Sequence, residues 1–311
     1  MRWLVTGGAG FIGSHLVDAI LSRGLGEVVV LDSFFRGRRE FLAKHGGSSL
    51  LTILEADIRD SGSVTSACSD IDIVMHLAAR SNVMGSESEF RAACETNVVG
   101  TLNVLEAALA ARVERLVFSS SREVYGDPTA LPVPETSPIA PKNLYGASKA
   151  AGETYCSVFR RRGLDVRVLR LANVYGPRDS DRVIPLWLDR SLRGLPLDVF
   201  GGNQVLDLIW IEHCVEALLQ AALLSTLSEP INVGSGTGTP IRELAEAVIH
   251  FTCSESTVDL LPPRSQEVIG YVADVSRMRS ILGIEPPNDP LSFIEQMVTG
   301  TEIAPSPTVA R

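Results

Sequence analysis

Short apolar runs recur through the first half of the chain, and between them apolar residues return at every third or fourth position. The runs at 2–6, 27–31, 51–55, 72–76, 115–119 and 165–170 read as buried strands, because they are rich in Val, Ile and Leu and three of them end at Gly, Asp or Ser. Leu16, Val17, Ile20 and Leu21 keep helical spacing after the first run. Longer patterns of the same kind predict helices over 87–112 and 145–162. Strands alternating with helices predict an α/β fold, a doubly wound parallel sheet covered on both faces and closed by 165–170. The second half is more broken. Helices are expected at 183–193, 212–224, 241–251, 276–282 and 291–299, with short strands at 206–210 and 231–234. The chain therefore divides into a sheet-forming domain, 1–171, and a smaller domain, 172–311, laid over its crevice. Residues from about 199 to 231 are expected to pack back on the first domain, and the proline-containing end, 301–311, to be loose.

Composition narrows the class. Hydrophobic residues make up 45% and charged residues 21% of the 311, as in an ordinary globular protein. A net charge of −9 argues against nucleic-acid and anionic-membrane partners, which need a basic face. Cys68, Cys94, Cys156, Cys214 and Cys253 are scattered without a Cys-x-x-Cys pair, so reduced thiols and no metal site are expected. Residues 1–5 run directly into a strand and then glycines, and no apolar run approaches a membrane span. Both point to a cytoplasmic protein.

The first turn carries the clearest chemistry. Gly7, Gly10 and Gly13 lie between a strand and a helix, with Phe11 and Ile12 inside the turn. That spacing permits a tight turn, close approach to a pyrophosphate and close helix packing. The helix N-terminus then offers free N–H groups to the phosphates. Asp32 ends the second strand, where a carboxylate accepts from a ribose diol and repels a 2′-phosphate. The first domain thus reads as a Rossmann-type domain for NAD rather than NADP, with Arg36 and Arg38 nearby as the contrary signal.

A second motif is Tyr145-Gly146-Ala147-Ser148-Lys149. Four residues apart on a helix, the tyrosine and lysine share one face. A free tyrosine ionises only near pH ~10. A neighbouring ammonium and a cationic nicotinamide both favour the phenolate, which makes Tyr145 a candidate general base toward a sugar or alcohol hydroxyl. Asp32, Asp57, His76, Ser121 and Asn173 all fall at strand ends, where such sheets bind ligands, so they are expected to converge on one crevice.

With these residues placed, nearly the whole chain, about 1–300, resembles the extended short-chain dehydrogenase/reductases, in particular the nucleotide-sugar epimerases and dehydratases. The segments that carry the resemblance are 6–15, Asp57-Ile58, His76-Leu77-Ala78-Ala79, Ser121 ahead of Val124-Tyr125-Gly126, Tyr145 with Lys149, and 171–178. It implies that Asp57 and Ile58 contact adenine and that Leu77, Ala78 and Ala79 lie along the cofactor. It makes Ser121, Tyr145 and Lys149 catalytic. Tyr145 would take the proton of the sugar 4-hydroxyl while the C4 hydride passes to NAD. Lys149 would lower the tyrosine's pKa and hold the ribose, and Ser121 would steady the same oxygen. Asn173 would meet the substrate diphosphate, as would Arg264 in Pro262-Pro263-Arg264.

Two departures bear on the reaction. Leu206 stands where most relatives place a diphosphate-clamping arginine, leaving Arg264 with more of that task and Arg178 and Arg182 as further candidates. Arg122 stands where 4,6-dehydratases place the first of two acids, and a guanidinium with a pKa above about 12 is a poor proton donor. Glu123 keeps the second position, either as a substrate-binding acid of the kind that decarboxylases of UDP-glucuronate use or as an ion-pair partner. The expected activity is an NAD-dependent 4-epimerase acting on a nucleotide-sugar, most simply a UDP-hexose. The alternatives are UDP-glucuronate decarboxylase, dehydratase or 4-ketoreductase chemistry, and more distantly a non-catalytic NAD-binding protein. The resemblance also suggests a homodimer through 87–112 and 145–162, using Leu102, Leu105, Leu109, Val158 and Phe159.

Overall fold

The structure, a computed structural model, describes residues 1–81 and 83–299. The predicted tail at 301–311 lies outside the described residues. Six strands form where the apolar runs place them: β1 (Arg2–Thr6), β2 (Glu27–Asp32), β3 (Leu51–Glu55), β4 (Ile73–His76), β5 (Arg115–Ser121) and β6 (Val166–Leu171). Beyond them come β7 (Asn173–Tyr175), β8 (Leu197–Phe200), β9 (Val205–Trp210), β10 (Ile231–Val233), β11 (Gly238–Pro240) and β12 (Val258–Leu261). The main sheet has seven strands in the order β10-β6-β5-β4-β1-β2-β3, all parallel. It is therefore not closed by 165–170. The chain returns from its second half to lay β10 on the β6 edge, which shields backbone groups that would otherwise be unpaired. Smaller sheets, β11-β9-β7 and β12-β8, build the second half.

The helices are α1 (Phe11–Ser22), α2 (Ser61–Ala67), α3 (Val83–Ser88), α4 (Phe90–Cys94), α5 (Thr101–Ala110), α6 (Leu144–Arg161), α7 (Val183–Leu192), α8 (Ile211–Leu223), α9 (Ile241–Phe251), α10 (Ser276–Leu282) and α11 (Ile294–Thr299). The single helix expected over 87–112 is thus interrupted. Between α4 and α5 lies a π-helical turn, Glu95–Gly100, a feature often found at functional sites. Its physical reason is Asn97. The side chain accepts from the Arg80 amide at 2.8 Å and donates to the Arg80 carbonyl and to Ser148 Oγ, both at 3.0 Å. Gly100 completes the turn by passing close to Ile58, where a Cβ would come within 2.6 Å.

Both faces of the sheet are buried. Val28 and Val30 join Leu16, Val17 and Ile20 of α1 in one core. Val29 and Leu31 join Val64, Val104 and Phe159 in the other, as the two-residue strand period requires. Leu105 and Phe159, expected on an apolar outer surface, are instead 0% and 2% exposed and cover this sheet. The first core runs on without a break into Trp187, Leu244, Val248, Met278 and Ile294 of the second half.

Buried ionic groups join the halves. Arg115 and Arg167, on neighbouring strands, share Asp165 at 2.9 Å. They donate to Ala222 O and Ala221 O at the end of α8, each at 2.5 Å, satisfying carbonyls that a helix terminus leaves without partners. Fully buried Asp207 on β9 accepts from Ser235 N, Ser235 Oγ, Gly236 N and Ala273 N over 2.6–3.1 Å. It thereby pins β9 to the segment after β10 and to the strand-like stretch around Ala273.

Candidate active site

The carboxyl ends of the main strands open into one crevice of about 1190 Å³, roofed by the second half. This exceeds the roughly 300–1,000 Å³ of common small-ligand pockets, so a dinucleotide and a second ligand both have room. Gly7, Gly10, Phe11, Ile12 and Gly13 form its floor. Gly7 has a φ of 72°, and a Cβ there would sit 2.8 Å from Ala78 N. At Gly13 a Cβ would lie 2.1 Å from Gly7 O, so the helix can approach the turn only with glycine.

Asp32 lines the crevice at the end of β2. Its Oδ2 accepts from Ala9 N and its Oδ1 from Phe34 N, each at 2.9 Å. Burial pushes its carboxyl upward against those two bonds. A carboxylate has about four lone-pair sites, so two remain for a diol. Gly37 passes against this carboxylate, where a Cβ would come within 2.8 Å of Oδ1. The two nearby arginines do not make a 2′-phosphate site. Arg36 is committed to Asp181 and to Ser81 Oγ. Arg38 is absent from the lining and lies by the Phe41 ring. Asp57, Ile58, Leu77, Ala78 and Ala79 complete the cofactor side of the crevice. Asp57 grips Arg59 at 2.7 Å, a hydrogen bond that holds its carboxyl below the usual range. The glycine floor, the free lone pairs of Asp32 and the length of the crevice together fit NAD.

His76 is a correction. It ends β4 but points down into the sheet, not into the crevice. Its Nδ1 meets Thr6 Oγ1 at 2.7 Å and its Nε2 meets Thr101 Oγ1 at 3.0 Å. Burial, helped by the Lys149 charge, drives its pKa to about 3, so it is a neutral structural link. The parity of β4 explains this: His76 shares the face of Val74, which belongs to the α5 side.

Ser121, Tyr145 and Lys149 do come together in the crevice. Lys149 is 3% exposed and donates from Nζ to Ser119 O at 2.7 Å. Its Nζ lies 6.0 Å from the centre of the Tyr145 ring. Burial lowers Lys149 to about 8. It also pushes Tyr145 up to about 12, with Arg182, Ser121 and Arg36 pulling the other way and Glu123 adding to the rise. In the protein alone, burial outweighs the neighbouring charges that favour the phenolate. Desolvation dominates, and Arg182 is the main opposing charge. Ser121 caps the turn after β5, its Oγ accepting from Glu123 N at 3.2 Å.

At the far end of the crevice lie Asn173, Leu206 and Arg264. Asn173 Nδ2 donates to Asp207 O at 3.1 Å. Leu206 is 8% exposed. The Arg264 guanidinium lies 3.5 Å over the Phe200 ring and pairs with Glu267 at 3.1 Å. Glu123 lines the crevice, yet Arg122 Nη2 meets its Oε1 at 2.8 Å and Asn143 Nδ2 donates to its Oε2 at 2.7 Å.

Sequence reasoning missed several participants. Asn97 falls inside the helix expected over 87–112 without a role of its own, although a polar residue midway along an apolar helix is a usable signal. Asn143 precedes the Tyr145 helix as an N-cap, its Oδ1 accepting from Gly146 N at 2.8 Å, and that position could have been read. The Arg36–Asp181 pair, which bridges the crevice mouth, carried no local signal.

Residues 3–234 match the model of the NAD dependent epimerase/dehydratase family. The chain is 36% identical over 295 residues to UDP-glucose 4-epimerase of Mycolicibacterium smegmatis, covering 92% of this chain and 94% of that one. It is 34% identical over 304 residues to UDP-glucuronic acid decarboxylase 3 of Arabidopsis thaliana, covering 92% and 84%. The crystal structure of Thermus thermophilus UDP-glucose 4-epimerase in complex with NAD superposes with a TM-score of 0.89 at 35% identity, covering 96% and 98%.

Protein denatured after purification is expected to release NAD(H). Titrated NADP should bind more weakly than NAD by at least about 1.4 kcal/mol, a factor of about ten, because Asp32 repels the added phosphate and Arg36 is engaged elsewhere. Release of NADP, or tighter binding of it, would overturn this assignment.

Proposed function

The chain belongs to the NAD-dependent epimerase/dehydratase family, and we propose that it is a 4-epimerase of nucleotide-sugars, acting on a UDP-hexose in the cytoplasm, where its five unpaired cysteines would stay reduced. The observation that carries this reading is the meeting of Ser121, Tyr145 and Lys149 in one crevice with the glycine floor and Asp32. Bound NAD would supply a reversible hydride acceptor and a positive ring charge. Tyr145 takes the proton of the 4-hydroxyl and returns it. Ser121 donates to the same oxygen as charge develops, and electrostatic stabilisation of that kind is usually a large term. Lys149, fixed by the Ser119 carbonyl with Nζ 6.0 Å from the centre of the Tyr145 ring, would hold the nicotinamide ribose. The charges of Arg182 and Arg36 oppose the effect of burial on the phenol, so the pKa that matters is set from both halves of the chain. The 4-keto sugar then turns over and is reduced on its other face.

Decarboxylation is the second reading, favoured by the place of Glu123 on the crevice wall. Against it, both carboxylate oxygens already hold donors. A dehydratase would need a leaving-group acid where Arg122 stands, and a guanidinium cannot serve as one. We also propose a homodimer through α5 and α6. With Leu105 and Phe159 turned inward, the outer apolar residues there are Val99, which is 47% exposed, and the half-buried Leu102, Leu109 and Val158.

UDP-glucose and UDP-galactose, or their N-acetyl forms, are expected to interconvert without net redox change or change of mass. Tyr145→Phe should abolish the reaction with NAD still bound, since it removes the base and not the pocket. A product lighter by water or carbon dioxide in the mass spectrum would favour the corresponding lyase.

Leu206 leaves Arg264 as the cation best placed for the diphosphate at that end. Arg264→Ala should weaken nucleotide-sugar binding by about 1.5–3 kcal/mol, the range for hydrogen bonds to charged groups, and leave NAD binding unchanged. Equal affinity in the calorimeter would remove Arg264 from the site.

Sedimentation equilibrium at micromolar protein should report twice the 33.5 kDa chain mass, and Val99→Glu should halve it. A monomeric wild-type protein rules out the dimer.

A further inference from the structure

We propose that Glu123 is a positioning residue for Tyr145, acting through Asn143 on the first turn of α6, and not an acid or base of the reaction. The proposal rests on the reading of Tyr145 as the base. Four contacts form an unbroken chain. Ser121 Oγ accepts from Glu123 N at 3.2 Å, so the strand end and the following turn move together. Asn143 Nδ2 donates to Glu123 Oε2 at 2.7 Å. Asn143 Oδ1 accepts from Gly146 N at 2.8 Å and caps the helix. Gly146 then lies directly on the turn, where a Cβ would be 2.4 Å from Glu123 O. Tyr145 stands between the capping asparagine and that glycine. Ser121 and Tyr145, which must meet on one substrate oxygen, are thus held in register by a carboxylate that need not touch the substrate.

The same geometry argues against proton transfer by Glu123. It is 6% exposed, and each of its oxygens is held by a donor, Arg122 on one side and Asn143 on the other. Taking or giving a proton would break one of these. Loss of the carboxylate would also leave Arg122, whose Nη1 is already buried without a partner, lacking its counter-ion. A buried polar network is stable only when its members are satisfied together.

The charge of Glu123 gives a second handle. The charged groups that act on the Tyr145 phenol are Arg182 ahead of α7, Arg36 after β2 and Glu123 after β5, and Lys149 of its own helix lies with Nζ 6.0 Å from the ring centre. Glu123 is the negative one, and it raises the phenol's pKa. A base must be ionised to act, so rate falls as pH drops through its pKa. Removing the negative charge lowers that pKa, and the acid limb moves to lower pH.

The experiment compares Glu123→Gln, Asn143→Ser and the double variant. Serine keeps a capping oxygen and leaves the Arg122–Glu123 pair intact, so it serves if the glutamine variant fails to fold. Each single variant should lower kcat on the order of tenfold, as expected of a small misplacement of reacting groups, with KM little changed. The double variant should fall no further than the worse single. The acid limb should shift down in Glu123→Gln only. Hydrogen exchange at the Gly146 amide should quicken several-fold in Glu123→Gln, although Glu123 does not touch that amide. The exchange measurement needs no turnover, so it still tests the brace if no UDP-hexose is converted. Abolished turnover in Glu123→Gln at every pH, with Gly146 exchange and the Asn143→Ser rate unchanged, would make Glu123 a reacting group. Unchanged exchange in Glu123→Gln overturns the brace whatever the rates.

Discussion

Desolvation of the Tyr145–Lys149 pair opposes the charge states that the chemistry needs, and much of the structure answers to that constraint. Burial, the largest influence on each, leaves the phenol up at about 12 and the ammonium down at about 8. The protein replies with fixed groups. The Ser119 carbonyl accepts from Lys149, the Ser121 hydroxyl faces the phenol, and Arg182 and Arg36 bring positive charge from outside the helix. Water would offer the same solvation, but it would have to reorganise during reaction. Preorganised dipoles and charges do not. The polarity of the site is supplied by neighbours whose positions the fold dictates.

Those positions depend on both halves being one body. The core on the α1 side of the sheet continues into α7, α9, α10 and α11, and β10 from the second half is an edge strand of the main sheet. Buried arginines on β5 and β6 hold the end of α8, and Asp207 fastens β9 to two separate loops. Arg182 precedes α7, which shares that core. The cation that best opposes the burial of Tyr145 is therefore placed by packing far from the sheet that carries Tyr145.

What was legible in the sequence follows the range of the interactions. Gly7, Gly10, Gly13 and Asp32 could be read because a backbone conformation and a strand end are local facts. Tyr145 and Lys149 could be read because helical spacing puts them on one face. Ser121 was legible as a residue at a strand end, and Glu123 remained ambiguous because its contact with Asn143 appears only in three dimensions. The pairing of β10 with β6 and the Arg36–Asp181 bridge join distant segments that carry no mark of each other. His76 was misplaced because a fully buried strand has no polar face to show which way its last residue points. The effect of burial on Tyr145 was illegible for a related reason. Spacing reveals a neighbouring charge and says nothing of how much water is lost.

The π turn at Glu95–Gly100 has a consequence of another kind. An α-helix advances 3.6 residues per turn, about 100° for each residue, and a π turn holds one residue more. The segments on either side differ in their neighbours: α3 and α4 lie against α6, while α5 lies against both α6 and α2. Asn97 stands at the changeover and ties the Arg80 backbone to Ser148, one residue from Lys149. Its aim is thus fixed by a count of residues rather than by the chemistry of any one of them. Shortening the turn by one would leave every side chain in place along the sequence and swing half the helix by about a quarter turn. The site is in this sense encoded partly as a length, a kind of information that side-chain replacement leaves untouched.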